Sequence, residues 1–169
     1  MKKHLFRISL FIMTIGFLGL GCQAKAPKGK LTYCRYYCFE TASVSKNYCE
    51  LIAEPGAAPR VSVTLREGNR FDEPVIHAEY PVTAEEVQPL LDWLAANKVY
   101  KLNGYDRNEP ISGGSSYRID LRYGPGEEFM ARWYGNKIKP KAIDAYNYLY
   151  FFFAPWRDRA IQESKPAAE

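Results

Sequence analysis

The sequence predicts an α+β domain in which an antiparallel sheet of about six strands packs against two helices. Residues 60–67 and 116–134 alternate apolar and polar side chains with the period of two that half-buried strands show. Residues 83–97 and 140–155 carry apolar side chains at the three- and four-residue spacing of amphipathic helices. Because neighbouring strands are joined by short turns, we expect antiparallel hairpins.

The first 22 residues predict an export signal. Three basic residues lie within the first seven, and residues 5–20 form an apolar stretch that is short for a membrane-spanning helix. The stretch leads into Leu-Gly-Leu-Gly-Cys at residues 18–22, which resembles the lipobox of bacterial lipoproteins. The resemblance implies cleavage before Cys22 and acylation of this cysteine. Because Gln23 rather than Asp follows, it also implies the outer membrane.

This segment sets the predicted domain organisation and the charge. Residues 1–21 are the signal peptide, 22–30 the lipidated cysteine and a basic tether, 31–163 one α+β domain, and 164–169 a frayed tail. Removing the signal peptide removes three basic residues, so the formal charge falls from +4 to +1. Such a small excess gives no field for holding a polyanion, so nucleic acid is not an expected partner.

The first hairpin predicts a disulfide. Strands are expected at residues 31–40 and 48–54, which are separated by a polar run. A turn centred in this run places Cys38 directly opposite Cys49, within the distance that a disulfide spans. Since export leads to an oxidising compartment, we predict a Cys38–Cys49 disulfide and a buried Cys34.

Other chemistry for the cysteines is less favoured. A metal site made of the three cysteines and His77 would lack the C-x₂-C pairs of structural zinc sites. A catalytic pair of Cys34 and His77 has no motif behind it. We therefore predict no catalytic residue, no metal site and no cofactor.

Two further strands and a helix follow. Residues 60–67 and 75–80 are the predicted strands. Residues 83–86, Thr-Ala-Glu-Glu, match the capping box and predict a helix that extends to Asn97. Pro89 lies inside this segment and lacks an N–H, so the helix either kinks there or begins near it. We retain one helix.

A second hairpin is the clearest pattern of the chain. After a short strand at residues 99–102 and a turn-rich loop, residues 116–123 and 128–134 alternate around Gly-Pro-Gly at 124–126. Side chains that face each other must share a side of the sheet. The expected register pairs Tyr123 with Phe129, Leu121 with Ala131, Ile119 with Trp133, and Asp120 with Arg132.

The last helix is predicted to begin at Pro140 and to be ended or bent by Pro155. It contains more aromatic residues than one buried face holds, so part of it is expected to contact a partner. The expected core-facing stripe is Ile143, Tyr146, Tyr150 and Phe153. The candidate partner contacts are Tyr148, Phe152 and Trp156.

A Gly/Ser loop is a second candidate partner site. Its candidate residues are Ser112, Gly113, Gly114, Ser115 and Tyr117. The order Ser-Gly-x-x-Ser-Tyr resembles the Ser-Gly-x-x-Tyr loop with which membrane-bound inhibitors of C-type lysozymes occlude the active site. The resemblance implies an inhibitory loop. The alternative is a plain flexible connector, which Gly/Ser clusters generally mark.

Charged residues in loops suggest two further roles. Loop carboxylates could supply the acid and nucleophile of a glycan hydrolase. These carboxylates are Asp106, Glu109, Glu127 and Glu128. A basic patch interleaved with aromatic residues could contact anionic lipid head groups or glycans. The patch consists of Arg132, Lys137, Lys139 and Lys141.

The predicted function is that of a lipid-anchored outer-membrane protein that binds an envelope protein or glycan without catalysis. Export, the absence of a catalytic motif and the surplus of aromatic residues support it. The alternatives are a lysozyme-inhibitor-like envelope protein and an envelope glycan hydrolase.

Overall fold

Seven strands, three α-helices and one 3₁₀ helix make up the part of the chain that the structure describes. The structure, a computed structural model, describes residues 25–40, 46–66, 75–109, 115–124, 126–135 and 137–165. The strands are β1 (Leu31–Glu40), β2 (Lys46–Ile52), β3 (Arg60–Arg66), β4 (Ile76–Pro81), β5 (Asp106–Asn108), β6 (Ser115–Tyr123) and β7 (Glu127–Tyr134). The helices are α1 (Ala84–Ala96), α2 (Pro140–Phe152) and α3 (Ala154–Glu163), and a 3₁₀ helix spans Val99–Leu102. The predicted signal peptide and Cys22 lie outside the described residues.

The strands form one sheet in the order β4-β3-β2-β1-β6-β7-β5. Every neighbouring pair is antiparallel except β5 and β7, which are parallel. The predicted α+β class is therefore confirmed, but the sheet is mixed. Strand β5 has three exposed residues and no apolar alternation, so its sequence gave no sign of a strand. The segment predicted as a strand at 99–102 is the 3₁₀ helix.

One face of the sheet packs on the helices and forms the core. Alternate residues of each long strand point into it, as the period of two requires. The largest fully buried side chains come from both layers. They are Tyr36, Leu51, Val61, Val63 and Leu65 of the sheet and Leu90, Leu94, Leu149 and Phe153 of the helical layer.

The opposite face, which we call the open face, carries charged residues. Asp120 of β6 accepts hydrogen bonds from Arg35 (Nη2 to Oδ2, 2.6 Å) and from Arg118 (Nε to Oδ1, 2.8 Å). Arg35 also forms an ion pair with Glu50 at 3.5 Å. Three adjacent strands are thus joined across this face by one ion-pair network.

Helix α1 begins as predicted. Thr83 caps it, because its hydroxyl accepts from the N–H of Glu86 and its own N–H donates to the Glu86 carboxylate at 2.7 Å. The helix continues through Pro89 to Ala96, so one helix is confirmed. The Pro89 carbonyl accepts a hydrogen bond from the Tyr148 hydroxyl of α2 at 2.9 Å, which ties the two helices together.

Both hairpins are confirmed, but each register differs from the predicted one by two residues. Cys49 lies opposite Tyr36 rather than Cys38. Leu121 lies opposite Phe129, and Asp120 opposite Met130 rather than Arg132. A slip of two keeps every side chain on its face, so the alternation of apolar residues cannot detect it. The turn decides the register, and Gly124 and Gly126 both adopt positive φ there.

The last predicted helix is two helices, since α2 ends and α3 begins around Phe153, two residues before Pro155. The predicted core stripe is partly wrong. Phe153 is fully buried, whereas Ile143 and Tyr150 are exposed. The buried positions of α2 are instead Ala142, Ala145 and Leu149. Among the described residues, no helix combines the length and apolarity that crossing a bilayer requires.

Candidate functional site

A groove of about 910 Å³ lies between α1 and the segment that precedes β1. One wall is formed by α1, where Val87, Leu91 and Leu94 follow at four- and three-residue spacing and therefore lie on one side of the helix. The opposite walls come from residues 26–32 and from the β2–β3 connection, residues 53–59. This volume falls within the range of small-molecule binding sites, roughly 300–1,000 Å³.

The segment before β1 is fastened to the domain, which gives the groove a fixed wall. The Lys28 N–H donates to the Glu127 carboxylate at 2.9 Å, and the Gly124 N–H donates to the Lys30 carbonyl at 2.8 Å. Gly29 packs so closely on Gly124 that a Cβ on Gly29 would lie 2.8 Å from the Gly124 Cα. Residues 28–30, predicted as part of a tether, are thus held by hydrogen bonds to the β6–β7 turn.

The charge of the groove has one sign. Among the described residues that line it, Lys30 and Lys98 are charged, and none is Asp or Glu. The neutral polar lining consists of Thr32, Gln88 and the phenols of Tyr100 and Tyr123, and the rest is apolar or glycine. A positively charged, largely apolar groove suits a ligand that has an acyl or alkyl body and an anionic end.

Lys98 has an unusual backbone. It follows the C-cap Asn97 of α1 and has φ 49° and ψ 47°, which is the left-handed region. It is the one residue other than glycine with a positive φ in the part of the chain that the structure describes. Glycine is the usual residue at this position after a helix, since a Cβ makes the conformation costly. A lysine is present there in spite of that cost, and it lines the groove.

Three of the loop carboxylates considered for the alternative glycan hydrolase are engaged in other contacts. Asp106 accepts from Arg132 at 2.6 Å, and this guanidinium lowers the pKa of the Asp106 carboxyl. A glycosidase acid needs the opposite, a raised pKa. Glu109 accepts from Arg107 at 2.6 Å. Glu127 holds the Lys28 N–H, at the opposite end of β7 from the strand pairing of Asp106.

The cysteines and His77 are not assembled into one site. Cys34 and Cys49 are fully buried on the core face, and burial raises the pKa of both thiols. His77 lies on the open face, where its Nδ1 is 3.0 Å from the Thr64 hydroxyl. Among the described residues, no three His, Cys, Asp or Glu side chains are placed to hold a metal ion.

The Cys38–Cys49 disulfide was predicted because the two residues were expected to lie directly opposite each other, and the observed register does not place them so. Cys38 faces Asn47, and the three cysteines are thiols in the structure. The Cys49 thiol donates to the Tyr36 hydroxyl at 3.5 Å, and Cys38 is hydrogen bonded to Tyr146. The two sulfurs therefore lie on one face but are not directly opposite.

The aromatic candidates of the last two helices are brought together as a ladder. Trp93 of α1 stacks on Tyr148 with ring centroids 4.0 Å apart, and Phe152 and Trp156 follow at 6.4 and 5.5 Å. All are partly buried against the core. Their role as partner contacts stays a prediction. The most exposed aromatic side chain that the structure describes is Phe151, at 71%.

The Gly/Ser loop is described only in part. Ser112, Gly113 and Gly114 lie outside the described residues, and Ser115 begins β6 opposite Glu40. Tyr117 is half-buried, because it stacks on Trp133 at 5.8 Å.

The predicted basic patch lies beside β5. Arg132 forms an ion pair with Asp106, and the Lys139 ammonium lies 4.8 Å from the centre of the Tyr105 ring. The Lys137 N–H donates to the Glu109 carboxylate at 3.2 Å. Part of this patch is thus occupied in holding the β5 segment to the chain that follows β7.

Comparison with known proteins gives no assignment. No protein-family model matches the chain, and no curated protein is significantly similar to it. The role of the groove is therefore inferred from its lining residues. Its lining residues, including Lys30, Leu91 and Lys98, were not among the predicted site residues, because distant segments form it and none carries a motif. The one signal in the sequence is a lysine at the position after a helix where glycine is usual.

Proposed function

We propose that this protein is a lipid-anchored outer-membrane protein that binds its ligand without transforming it, and that the α1 groove is the binding site. The observation that carries the proposal is the groove itself, with about 910 Å³ and a largely apolar lining. Its size and lining are those of binding sites for hydrophobic molecules. Export and acylation at Cys22 rest on the resemblance to lipoproteins and belong to the same proposal.

Cell fractionation tests the anchor. The full chain is expected to sediment with the outer membrane and to carry acyl groups on Cys22 by mass spectrometry. The Cys22→Ala variant is expected to lose both properties. A wild-type chain recovered without acyl groups would contradict the proposed anchor.

Photocrosslinking tests the groove. The full chain, purified from membranes into phosphatidylcholine nanodiscs, is irradiated with an uncharged long-chain alcohol that carries a diazirine. We expect adducts on peptides that contain residues 26–32, 53–59 and 84–100. Ala95→Trp places an indole in the groove and should remove these adducts, whereas Ala96→Trp, on the same helix but outside the lining, should retain them. Adducts that are unchanged in Ala95→Trp would overturn the proposed site.

A further inference from the structure

We propose that the ligand of this groove is a long-chain fatty acid, whose carboxylate is held by Lys30 and Lys98. The inference rests on the proposed function of the groove as a binding site. It adds the chemical class of the ligand and the two residues that select it.

The shape of the groove supports a linear apolar body. Val87, Leu91 and Leu94 form one row along α1, and seven residues of helix correspond to about 10 Å of wall. The facing segment contributes Pro55 and Pro59, with alanines between and beside them. Such a wall offers few hydrogen-bond partners, so the body of the ligand must be one that needs none.

The charges support an anionic end. Lys30 and Lys98 have no acidic neighbour within the described lining, so their charge is available to a ligand. A lysine acts as a point charge and pairs with either a carboxylate or a phosphate. A fatty acid is the simplest ligand that joins one such anionic group to an unbranched apolar body, and it is the occupant to which the proposal commits.

The backbone of Lys98 is a second observation on this lining residue. A left-handed conformation costs a residue with a Cβ, and such cost concentrates at functional positions. Glycine at position 98 would relieve it. The residue present is a lysine that lines the groove, and the proposal assigns its charge to the ligand.

The position of the groove relative to the anchor fits a ligand drawn from a bilayer. Ala26 and Pro27 line the groove, and Cys22 precedes Ala26 by four residues. Four residues span at most about 14 Å. A chain acylated at Cys22 would hold the groove near the membrane surface, where a free fatty acid is concentrated.

Competition photocrosslinking tests the proposal. The full chain in phosphatidylcholine nanodiscs is irradiated with diazirine-labelled palmitic acid, and groove adducts are measured against unlabelled competitors. We expect palmitate to compete at least tenfold better than hexadecanol, because the alcohol lacks the charge. Each methylene added to a shorter acid should improve competition about fourfold until the groove is filled.

Substitutions separate the head-group contacts from the fold. Lys98→Asn, which tolerates the left-handed backbone, and Lys30→Gln should each weaken palmitate competition about tenfold, so that most of the preference for palmitate over hexadecanol is lost. Lys98→Gly should weaken palmitate binding in the same way while it raises the melting temperature. Lys101→Gln, a nearby exposed lysine outside the groove, is the matched control.

The outcomes are distinct. Equal competition by hexadecanol and palmitate overturns the carboxylate but leaves the binding groove. Stronger competition by lysophosphatidic acid assigns the head group to a phosphate and overturns the fatty acid. Palmitate adducts that appear only in Cys22→Ala would show that the protein's own acyl chains fill the groove, and this overturns a free fatty acid as its ligand. Groove adducts from neither probe contradict the proposed function as well.

Discussion

Asp120 is the residue on which the ion pairs of the open face converge. It is 9% exposed, and both Arg35 and Arg118 donate to its carboxylate. A nearly buried acceptor of charged donors contributes more than an exposed ion pair, because removal of its charge leaves the donors poorly paired.

Replacement of Asp120 tests this view. We expect Asp120→Asn to lower the free energy of unfolding by about 2 kcal/mol, discounted for the partial exposure of both arginines. Glu128→Gln is the control, since Glu128 pairs with Arg122 at 3.3 Å and both side chains are exposed; its effect should stay within about 0.5 kcal/mol. Urea unfolding of both variants measures the difference, and equal effects would contradict a special role for Asp120.

At the scale of elements, one tyrosine makes the main described contacts between α1 and α2. Tyr148 stacks on Trp93 with the ring planes 6° apart, and its hydroxyl donates to the Pro89 carbonyl. The stack supplies apolar contact and the hydroxyl fixes the position of the helix, so the two contributions can be removed separately.

We predict that Tyr148→Phe costs about 1 kcal/mol, because it removes the hydrogen bond and keeps the stack. Tyr148→Ala should cost about 2 kcal/mol or more, since the Trp93 ring also loses its neighbour. Phe151→Ala, at an exposed position of the same helix, should change stability by less than about 0.5 kcal/mol. Chemical unfolding followed by circular dichroism measures all three variants. An unchanged free energy of unfolding in Tyr148→Ala would contradict the structural role of Tyr148 between α1 and α2.

The structural role of Tyr148 affects how partner binding can be tested. Loss of binding in Tyr148→Ala would mix a structural effect with a contact effect, because the side chain holds two helices together. Phe151, exposed and without a structural task of that kind, is the better position at which to test the aromatic helix for partner binding.

The elements also show what the sequence could predict. The capping box located the start of α1, and alternation located the long strands on their correct faces. An alternating pattern looks the same after a shift of two residues. The predicted hairpin registers, and with them the placing of Cys38 directly opposite Cys49, were therefore wrong. The groove was not predicted, because its walls come from segments more than 50 residues apart, from Ala26 to Leu94. Strand β5 is held by backbone pairing and by the Asp106–Arg132 ion pair, neither of which produces an alternating pattern in its sequence.

At the scale of the whole molecule, the core contains several ionisable groups, which are thiols and phenols. Burial raises the pKa of the Cys49 thiol to about 11, and the hydrogen bond between Cys49 and Tyr36 acts in the opposite direction. Burial likewise raises the pKa of Cys34 and of the phenols of Tyr36 and Tyr146. All these groups are neutral when folded at neutral pH, so they are part of the apolar core.

The protein is therefore expected to lose stability in alkali. Below about pH 8.5 a cysteine is protonated in both states and the stabilisation is complete. Between there and about pH 11 the unfolded chain releases a proton that folded Cys49 keeps, so the free energy of unfolding falls as pH rises. Each such thiol adds a slope of about 1.4 kcal/mol per pH unit.

Unfolding curves at pH 7, 8.5 and 9.5 under reducing conditions measure this slope. Cys49→Ala removes one titrating group and should reduce the slope by about 1.4 kcal/mol per unit. Lys101→Gln, an exposed change that leaves the thiols untouched, should keep the wild-type slope. A stability that does not change between pH 7 and 9.5 would show that the thiols are not buried as described.

The order of the strands has a mechanical consequence. Strand β1 follows directly on the segment that leads to Cys22, and it is the central strand of the sheet, with β2 on one side and β6 on the other. A chain held at Cys22 would transmit any pull on the domain along the axis of β1. A strand pulled in this direction must slide past both neighbours at once, so its hydrogen bonds share the load, whereas an edge strand would peel away bond by bond. A lipid anchor at Cys22 would thus be attached next to a strand that resists force along its length.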